Sequence, residues 1–262
     1  MWLKVFAGHD LLNGRTVAVD ATTLEANAAM RSIVRWDTGK AYLEYIEGLA
    51  RAEGIQTPTG QDLARRDKKR ANKASNKDWE HPQDADVRIT KMKDSRTHLA
   101  HKAEHTVDLD TEALLAITVC GVDKRDTESL GGSLDSVDRN LQAVDDIDDK
   151  RALREVVADK GHHSIHTIKT LKSAKTRSYV SEPDRGRRNW KKDAAARAAV
   201  FANRRRIRGK RGKWLQRQRA EVAEHSFAHI NETGVCVART CAATTTSTNG
   251  CVYMAAPSIS PS

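Results

Sequence analysis

The distribution of apolar positions divides the chain into short strand-like runs and longer helix-like ones. Thr16-Val17-Ala18-Val19-Asp20-Ala21-Thr22 alternates and reaches a carboxylate; far downstream Glu155-Val156-Val157-Ala158-Asp159 also ends in one, before Lys160-Gly161-His162-His163-Ser164. Short apolar runs bounded by turn residues predict buried strands. Asp20 and Asp159 are thereby expected at the carboxyl ends of strands, where open α/β sheets gather their chemistry. Taken alone, Asp159 reads equally well as a cap for the helix that follows it.

From Thr23 to about Ala52 helix formers dominate. Ala26, Met30, Ile33 and Val34, then Tyr42, Tyr45, Ile46 and Leu49, recur at helical spacing and read as core positions. Residues 53–97 change character: Gly54, Pro58, Gly60, Pro82 and the run Arg65-Arg66-Asp67-Lys68-Lys69-Arg70 make them polar, basic and turn-rich. The segment is expected to be a solvated or disordered insertion, with an arm that contacts phosphates as the alternative. Order returns with a hairpin, residues 99–109 and 113–119 joined by Asp110-Thr111-Glu112. A helix is expected over 126–144, followed by an acidic loop with Asp145, Asp146, Asp148 and Asp149. After Asp159 come a helix over 164–172, a short strand over 177–181, and a helix over 217–230 that buries Val222, Phe227 and Ile230. The order strand, insertion, hairpin, helix, strand, helix, strand, helix predicts an α/β fold: a mixed sheet with helices on both faces.

Charge brings in a partner. The 262 residues carry 45 Lys and Arg against 35 Asp and Glu, a net of +10, with 39% hydrophobic residues. That is enough apolar content for one domain with a large insertion, or for two small ones. Between Asp184 and Arg219, 15 Lys or Arg stand against 2 Asp, a net of +13 that exceeds the charge of the whole chain. Such a concentration fits a polyanion, bound with steep salt dependence and little sequence preference. Arg185, Arg187, Arg188, Lys191, Lys192, Arg204, Arg205, Arg206 and Arg208 are the candidate DNA-binding residues. Trp190 and Trp214 could stack on bases or pack at the base of their helices. The longest apolar run, 113–120, is too short to span a bilayer, and no signal-peptide pattern follows Met1. A cytoplasmic protein with no membrane partner is expected. Cys120 reads as a small core residue, and Cys236, Cys241 and Cys251 match neither a zinc spacing nor a disulfide framework.

Two Asp at neighbouring strand ends, with a Glu brought in by a helix, would suit a pair of Mg²⁺ or Mn²⁺ ions about 4 Å apart, arranged for displacement at phosphorus. Glu221 and Glu224, three apart on the last helix, are the available glutamates. Four blocks then carry a family resemblance: residues 19–28 around Asp20, residues 98–108 (His-Leu-Ala-His-Lys-Ala-Glu-His-Thr-Val-Asp), residues 157–164 around Asp159, and Ala223-Glu224-His225-Ser226-Phe227-Ala228-His229. In this order they resemble the successive blocks of the bacterial insertion-sequence DDE transposases, from about Arg15 to Gly234. The resemblance implies an RNase H-like fold in which Asp20, Asp159 and Glu224 are catalytic and bind the metal. It implies that water cuts the strand at the element's end and that the freed 3′ hydroxyl attacks target DNA. The implied partner is double-stranded DNA, both element ends and target, held by a homodimer in a synaptic complex. The family's motif puts its Glu three residues before the Phe, which selects Glu224 over Glu221. His225 and Ala220 stand where the family usually has Arg.

The resemblance also divides the chain. Residues 1–13 are expected to be the remnant of an N-terminal region, apolar and without a cap or a partner element before them. Residues 14–234 form the catalytic domain with an insertion at about 23–97, and residues 235–262 form a disordered tail. From Val235 onward there is no Lys, Asp or Glu and a single Arg, whereas the family would continue with Arg-Arg-Thr-His-Leu-Arg-Gly-His. The segment can be written in codons that, read one nucleotide over, give Val-Arg-Arg-Thr-His-Leu-Arg-Gly-His. An out-of-frame tail is therefore expected. Sequencing the encoding DNA checks it, since an alternate frame without that continuation disposes of the idea.

Overall fold

The computed structural model describes residues 2–70, 73–92, 94–144, 153–184, 186, 190 and 193–233. Its architecture follows from one strand with partners on both edges. In β1 (Thr16–Glu25) Val17, Ala18 and Val19 are fully buried, and a run buried on both faces needs a layer above and below it. One edge of β1 pairs antiparallel with β5 (Thr97–Asp108), from Val17 opposite Asp108 to Glu25 opposite Ala100. The other edge pairs in parallel with β7 (Glu155–Ala158), which in turn pairs in parallel with β8 (Arg177–Val180). The outer edge of β5 takes β4 (Arg88–Lys91) and then β6 (Leu114–Gly121), giving the order β4-β5-β1-β7-β8 with β6 alongside β5. This is the mixed α/β sheet that the element order predicts.

Helices cover both faces. Val17, Val19, Val156, Ala158 and Val180 pack against Leu130, Leu134 and Val137 of α4 (Asp126–Gln142), Ile168 and Leu171 of α5 (Ile165–Ser173), and Ala199 and Val200 of α6 (Ala194–Arg208). Ala18, Val107, Val157 and Tyr179 face the other way, onto Leu215 and Val222 of α7 (Lys210–Thr233). The amino-terminal residues belong to the first layer. Leu3, Phe6 and Ala7 of α1 (Trp2–Gly8) pack on it and Leu12 is buried in it. The turn into β1 is fixed by the buried carboxylate of Asp108, whose Oδ2 accepts N–H bonds from Asn13 (2.8 Å) and Gly14 (2.7 Å); the φ of 69° at Gly14 suits a residue without a Cβ.

The insertion departs from the sequence expectation. Residues 23–25 extend β1 instead of opening a helix, because β5 offers them a partner strand. A helix forms only at α2 (Tyr42–Ala52), after a 3-10 turn at Met30–Ser32 and the two-residue β2 (Val34–Arg35). The polar segment beyond is also structured, with α3 (Gly60–Lys69) opened by a Thr59–Asp62 capping box, and β3 (Trp79–Glu80) pairing with β2. The organiser is Trp79, 2% exposed, which packs with Ile33, Val87, Ile89 and Leu99 and lies 5.0 and 5.4 Å from the rings of Tyr42 and Tyr45. Cys120 is a half-buried free thiol. Asp145, Asp146, Asp148, Asp149, the side chain of Ile230, the three C-terminal cysteines and the expected tail lie outside the described residues. Among those described, no helix is long and apolar enough to cross a membrane.

Charges fasten α7 to the sheet at both ends of the β7 level. At the start of β7, buried Glu155 accepts hydrogen bonds from Tyr179 Oη (3.0 Å), Thr16 Oγ1 (3.2 Å) and the Arg211 guanidinium of α7. Gln216 Nε2 donates to the carbonyls of Ala158 (3.1 Å) and Tyr179 (2.5 Å). Burial works to raise the pKa of Glu155, but the bonds from Arg211 and Tyr179 outweigh it and hold the carboxyl below its ordinary 4.5. Stability from this charge is complete above the ordinary value and is lost as pH falls through the lower, folded value. Glu155→Gln is accordingly expected to cost about 1–3 kcal/mol at pH 7, with the gap from wild type closing in acid. Urea melts at pH 7 and below pH 4 check this, and a gap independent of pH refutes it.

Candidate active site

The parallel register of β1 with β7 ends at Val19 opposite Ala158. An aspartate follows in each case: Asp159 comes just past the end of β7, whereas Asp20 lies midway along β1, which runs on to Glu25 because β5 pairs with it and so does not end at the carboxylate as expected. The two leave the buried layer at the same level, on neighbouring backbones about 4.8 Å apart. Each carboxylate has a cation. Arg219 Nη1 of α7 donates to Asp20 Oδ2 at 2.8 Å, and the Ala21 N–H caps Oδ1 at 2.9 Å. His162 Nδ1 lies 2.7 Å from Asp159 Oδ1, which also accepts from the Gly161 N–H at 2.9 Å. The two aspartates diverge in consequence. Burial raises the pKa of Asp20, and the Asp159 charge adds to this, against the pull of Arg219. The His162 bond, together with the turn N–H groups, overcomes burial at Asp159 and lowers its pKa to about 2. The helix after the turn is capped by Ser164, whose hydroxyl accepts from the Thr167 N–H, so Asp159 serves the turn and not the helix.

Behind His162 lies a buried charged cluster on the α4 side of β5. Glu104, 1% exposed, receives Ser133 Oγ at 2.5 Å and the Ser129 hydroxyl, with Lys102 Nζ at 3.1 Å. Lys102 also meets Asp126 Oδ1 at 2.6 Å. His162 Nε2 points to Glu104 Oε1 at 3.4 Å. Burial disfavours the imidazolium, yet Asp159 and Glu104 together raise the His162 pKa to about 9, and at neutral pH both ring nitrogens carry protons. Burial likewise opposes the Glu104 carboxylate, but His162 and the two serines hold its pKa at about 2. Glu104, Asp126 and His162 bring ligand atoms within 4.8 Å of one another and could hold a metal. The Lys102 ammonium already bridges two of the three, so the cluster is charge-compensated by the chain itself. An open cleft of about 410 Å³, lined by Arg125, Asp126, Thr127, Gly161, His163 and Ser164, lies where the first turns of α4 and α5 meet this cluster.

The remaining expected residues are placed differently. Glu224 is exposed, one residue past the buried pair Val222 and Ala223, and among the described residues nothing joins it to Asp20 or Asp159; Glu221 is exposed as well. Phe227 stacks at 4.0 Å on His105, whose Nδ1 lies 2.8 Å from Ser226 Oγ, and burial lowers the pKa of this histidine to about 4. Arg204 forms a two-pronged pair with Glu182, at 2.5 and 2.9 Å, and Arg206 bonds the carbonyl and hydroxyl of Ser178, both at 2.9 Å. Both are committed inward, whereas Arg205 and Arg208 are exposed. Arg185, Arg187, Arg188, Lys191 and Lys192 lie outside the described residues. Trp190 packs on the main core and Trp214 is exposed. Sequence reasoning did not single out Lys102, Glu104, Asp126, His162 or Arg219. The one available signal was Lys102 and Glu104 sharing a strand face, two residues apart, inside the expected hairpin.

Gly161 is required by close approach. A Cβ there would sit 2.3 Å from Asp126 Oδ2 and 3.1 Å from Asp159 Oδ1. Gly161→Ala is expected to push Asp126 off Lys102 and to cost about 1–3 kcal/mol. A urea melt matching wild type would count against this packing. Comparison with known proteins returns no match to this chain among protein-family models, curated proteins or solved structures.

Proposed function

We propose that the chain is a metal-dependent DNA strand transferase of the DDE transposase type, with an RNase H-like sheet and Asp20 and Asp159 as its central carboxylates. The observation that carries this reading is the pair of aspartates that follow Val19 and Ala158, the last register pair of the parallel strands β1 and β7, near enough that the Asp159 charge acts on Asp20. Both are partly open to solvent, and their hard oxygens suit Mg²⁺ or Mn²⁺. A divalent ion held there would activate the attacking oxygen and stabilise the leaving one in a displacement at phosphorus. The chain's own residues do the rest. His162 and the turn N–H groups fix one oxygen of Asp159, Arg219 orients Asp20, and the exposed Arg205 and Arg208 offer contacts to the phosphates of double-stranded DNA. Glu224, exposed on α7, is the third acid that the family resemblance implies.

A second reading, a DNA-binding protein without catalysis, is favoured by the Arg219 guanidinium on Asp20 and by the exposure of Glu224. Nicking separates the two. On DNA carrying the flanking element ends, cleavage is expected only with Mg²⁺ or Mn²⁺, and Asp159→Asn is expected to abolish it by about 10³-fold or more. Salt-sensitive DNA binding by folded protein with no metal-dependent nicking would establish the second reading instead.

A further inference from the structure

We propose that Glu104 is a positioning residue for the site: through His162 it fixes the orientation of the Asp159 carboxylate and so sets the affinity for a divalent cation. The inference rests on the metal-dependent reading above and assigns a task to a buried charge which that reading leaves idle.

The chain of contacts is continuous. Ser129 and Ser133, one helical turn apart on α4, both donate to Glu104. Glu104 Oε1 faces His162 Nε2 at 3.4 Å, and His162 Nδ1 faces Asp159 Oδ1 at 2.7 Å. The Gly161 N–H holds the same oxygen at 2.9 Å. Asp159 Oδ1 is thus saturated by its own turn, while among the described residues Oδ2 has no hydrogen-bond donor. A carboxylate held by one oxygen presents the other in a fixed direction. Liganding groups in metal sites are commonly oriented in this way by a second residue, and loss of that residue typically weakens metal affinity 10- to 100-fold.

A bland reading makes Glu104 only the counter-ion of Lys102, and its arrangement argues against this. Lys102 has its own partner in Asp126 at 2.6 Å, shorter than its 3.1 Å to Glu104. His162 has a carboxylate facing each of its ring nitrogens, Glu104 on one side and Asp159 on the other. Leaving an imidazole 1% exposed between two carboxylates costs desolvation that a purely apolar side chain would avoid.

The test is Mn²⁺ binding to the full chain by calorimetry, without DNA or turnover, with thermal melts run beside it. Wild type is expected to bind Mn²⁺, and Asp159→Asn to lose binding. Glu104→Gln is expected to bind at least about 10-fold more weakly. His162→Asn keeps a donor near the Nδ1 position and drops the contact with Glu104. In that background Glu104→Gln is expected to have no further effect, the signature of action through His162. Should Glu104→Gln fail to fold, Ser133→Ala, which leaves the charge and loosens it, is expected to weaken Mn²⁺ severalfold. No Mn²⁺ binding by wild type, or equal binding by Asp159→Asn, would sink the metal reading itself. Wild-type affinity in Glu104→Gln or Ser133→Ala, or the same loss with and without His162→Asn, would overturn the positioning role and leave the metal reading standing.

Discussion

Everything around the site answers to one constraint: two aspartates emerge at the same level from adjacent parallel strands. Val19 and Ala158 are the last residues of the buried layer on β1 and β7, and the register that pairs them carries Asp20 and Asp159 out together. Two carboxylates one strand spacing apart repel by about 3 kcal/mol at an effective dielectric of ~20. A fold that keeps them must bring cations or share a proton. This one brings cations, from opposite directions. Arg219 arrives from the helix over one face and His162 from the turn after β7, and a second carboxylate, Glu104, waits behind the histidine. The low pKa of Asp159 and the high one of His162 are two sides of the same pairing.

The seating of α7 shows how closely stability and site are joined. From Glu155 to Asp159 a strand advances about 13 Å. From Arg211 to Arg219 a helix advances about 12 Å. The near match lets one helix meet a carboxylate at each end of the sheet, with Leu215 and Val222 buried between and beyond and Gln216 reaching the carbonyls at the middle. Removing either arginine would therefore loosen the helix as well as free a charge. Gly212 belongs to the same device, since a Cβ there would come within 2.1 Å of the Arg206 carbonyl and prise α7 away from α6.

What the sequence made legible was apolar periodicity read at its proper period. The strand through Asp20, the strand before Asp159, the hairpin and the helices after it were visible from their aliphatic buried positions, although β1 runs on past Asp20 to Glu25. Lys102, Glu104 and His162 were not, because a buried charge and a solvated one look alike until the partner is known, and Asp126 lies 24 residues from Lys102 and His162 lies 58 from Glu104 along the chain. The insertion failed for a related reason. Its core is aromatic and compact, with Trp79 and two tyrosines where an aliphatic stripe would have announced itself. Helical spacing at 26–34 yields only a 3-10 turn at Met30–Ser32 before Val34 enters β2, whose partner β3 only tertiary structure supplies. The basic segment misled in the opposite sense, since Arg204 and Arg206, counted as phosphate ligands, are spent on Glu182 and Ser178.

A site neutralised by its own side chains has a cost that follows from the same electrostatics. Any cation entering beside Asp20 competes with a guanidinium already 2.8 Å from it, and any gain is reduced by the energy of that displaced contact. The competition is unequal at the two aspartates. Under the proposed function, Arg219, on a long side chain, would have a phosphate as an alternative partner, which would relieve Asp20 when an anionic substrate arrives. His162 is a short, buried ring wedged between Asp159 and Glu104, with no such alternative partner. Asp159 is therefore the fixed point of the pair and Asp20 the adjustable one. Under the proposed function, coupling between nucleic acid and cation would run through Arg219, the group that one of them would attract and the other displace.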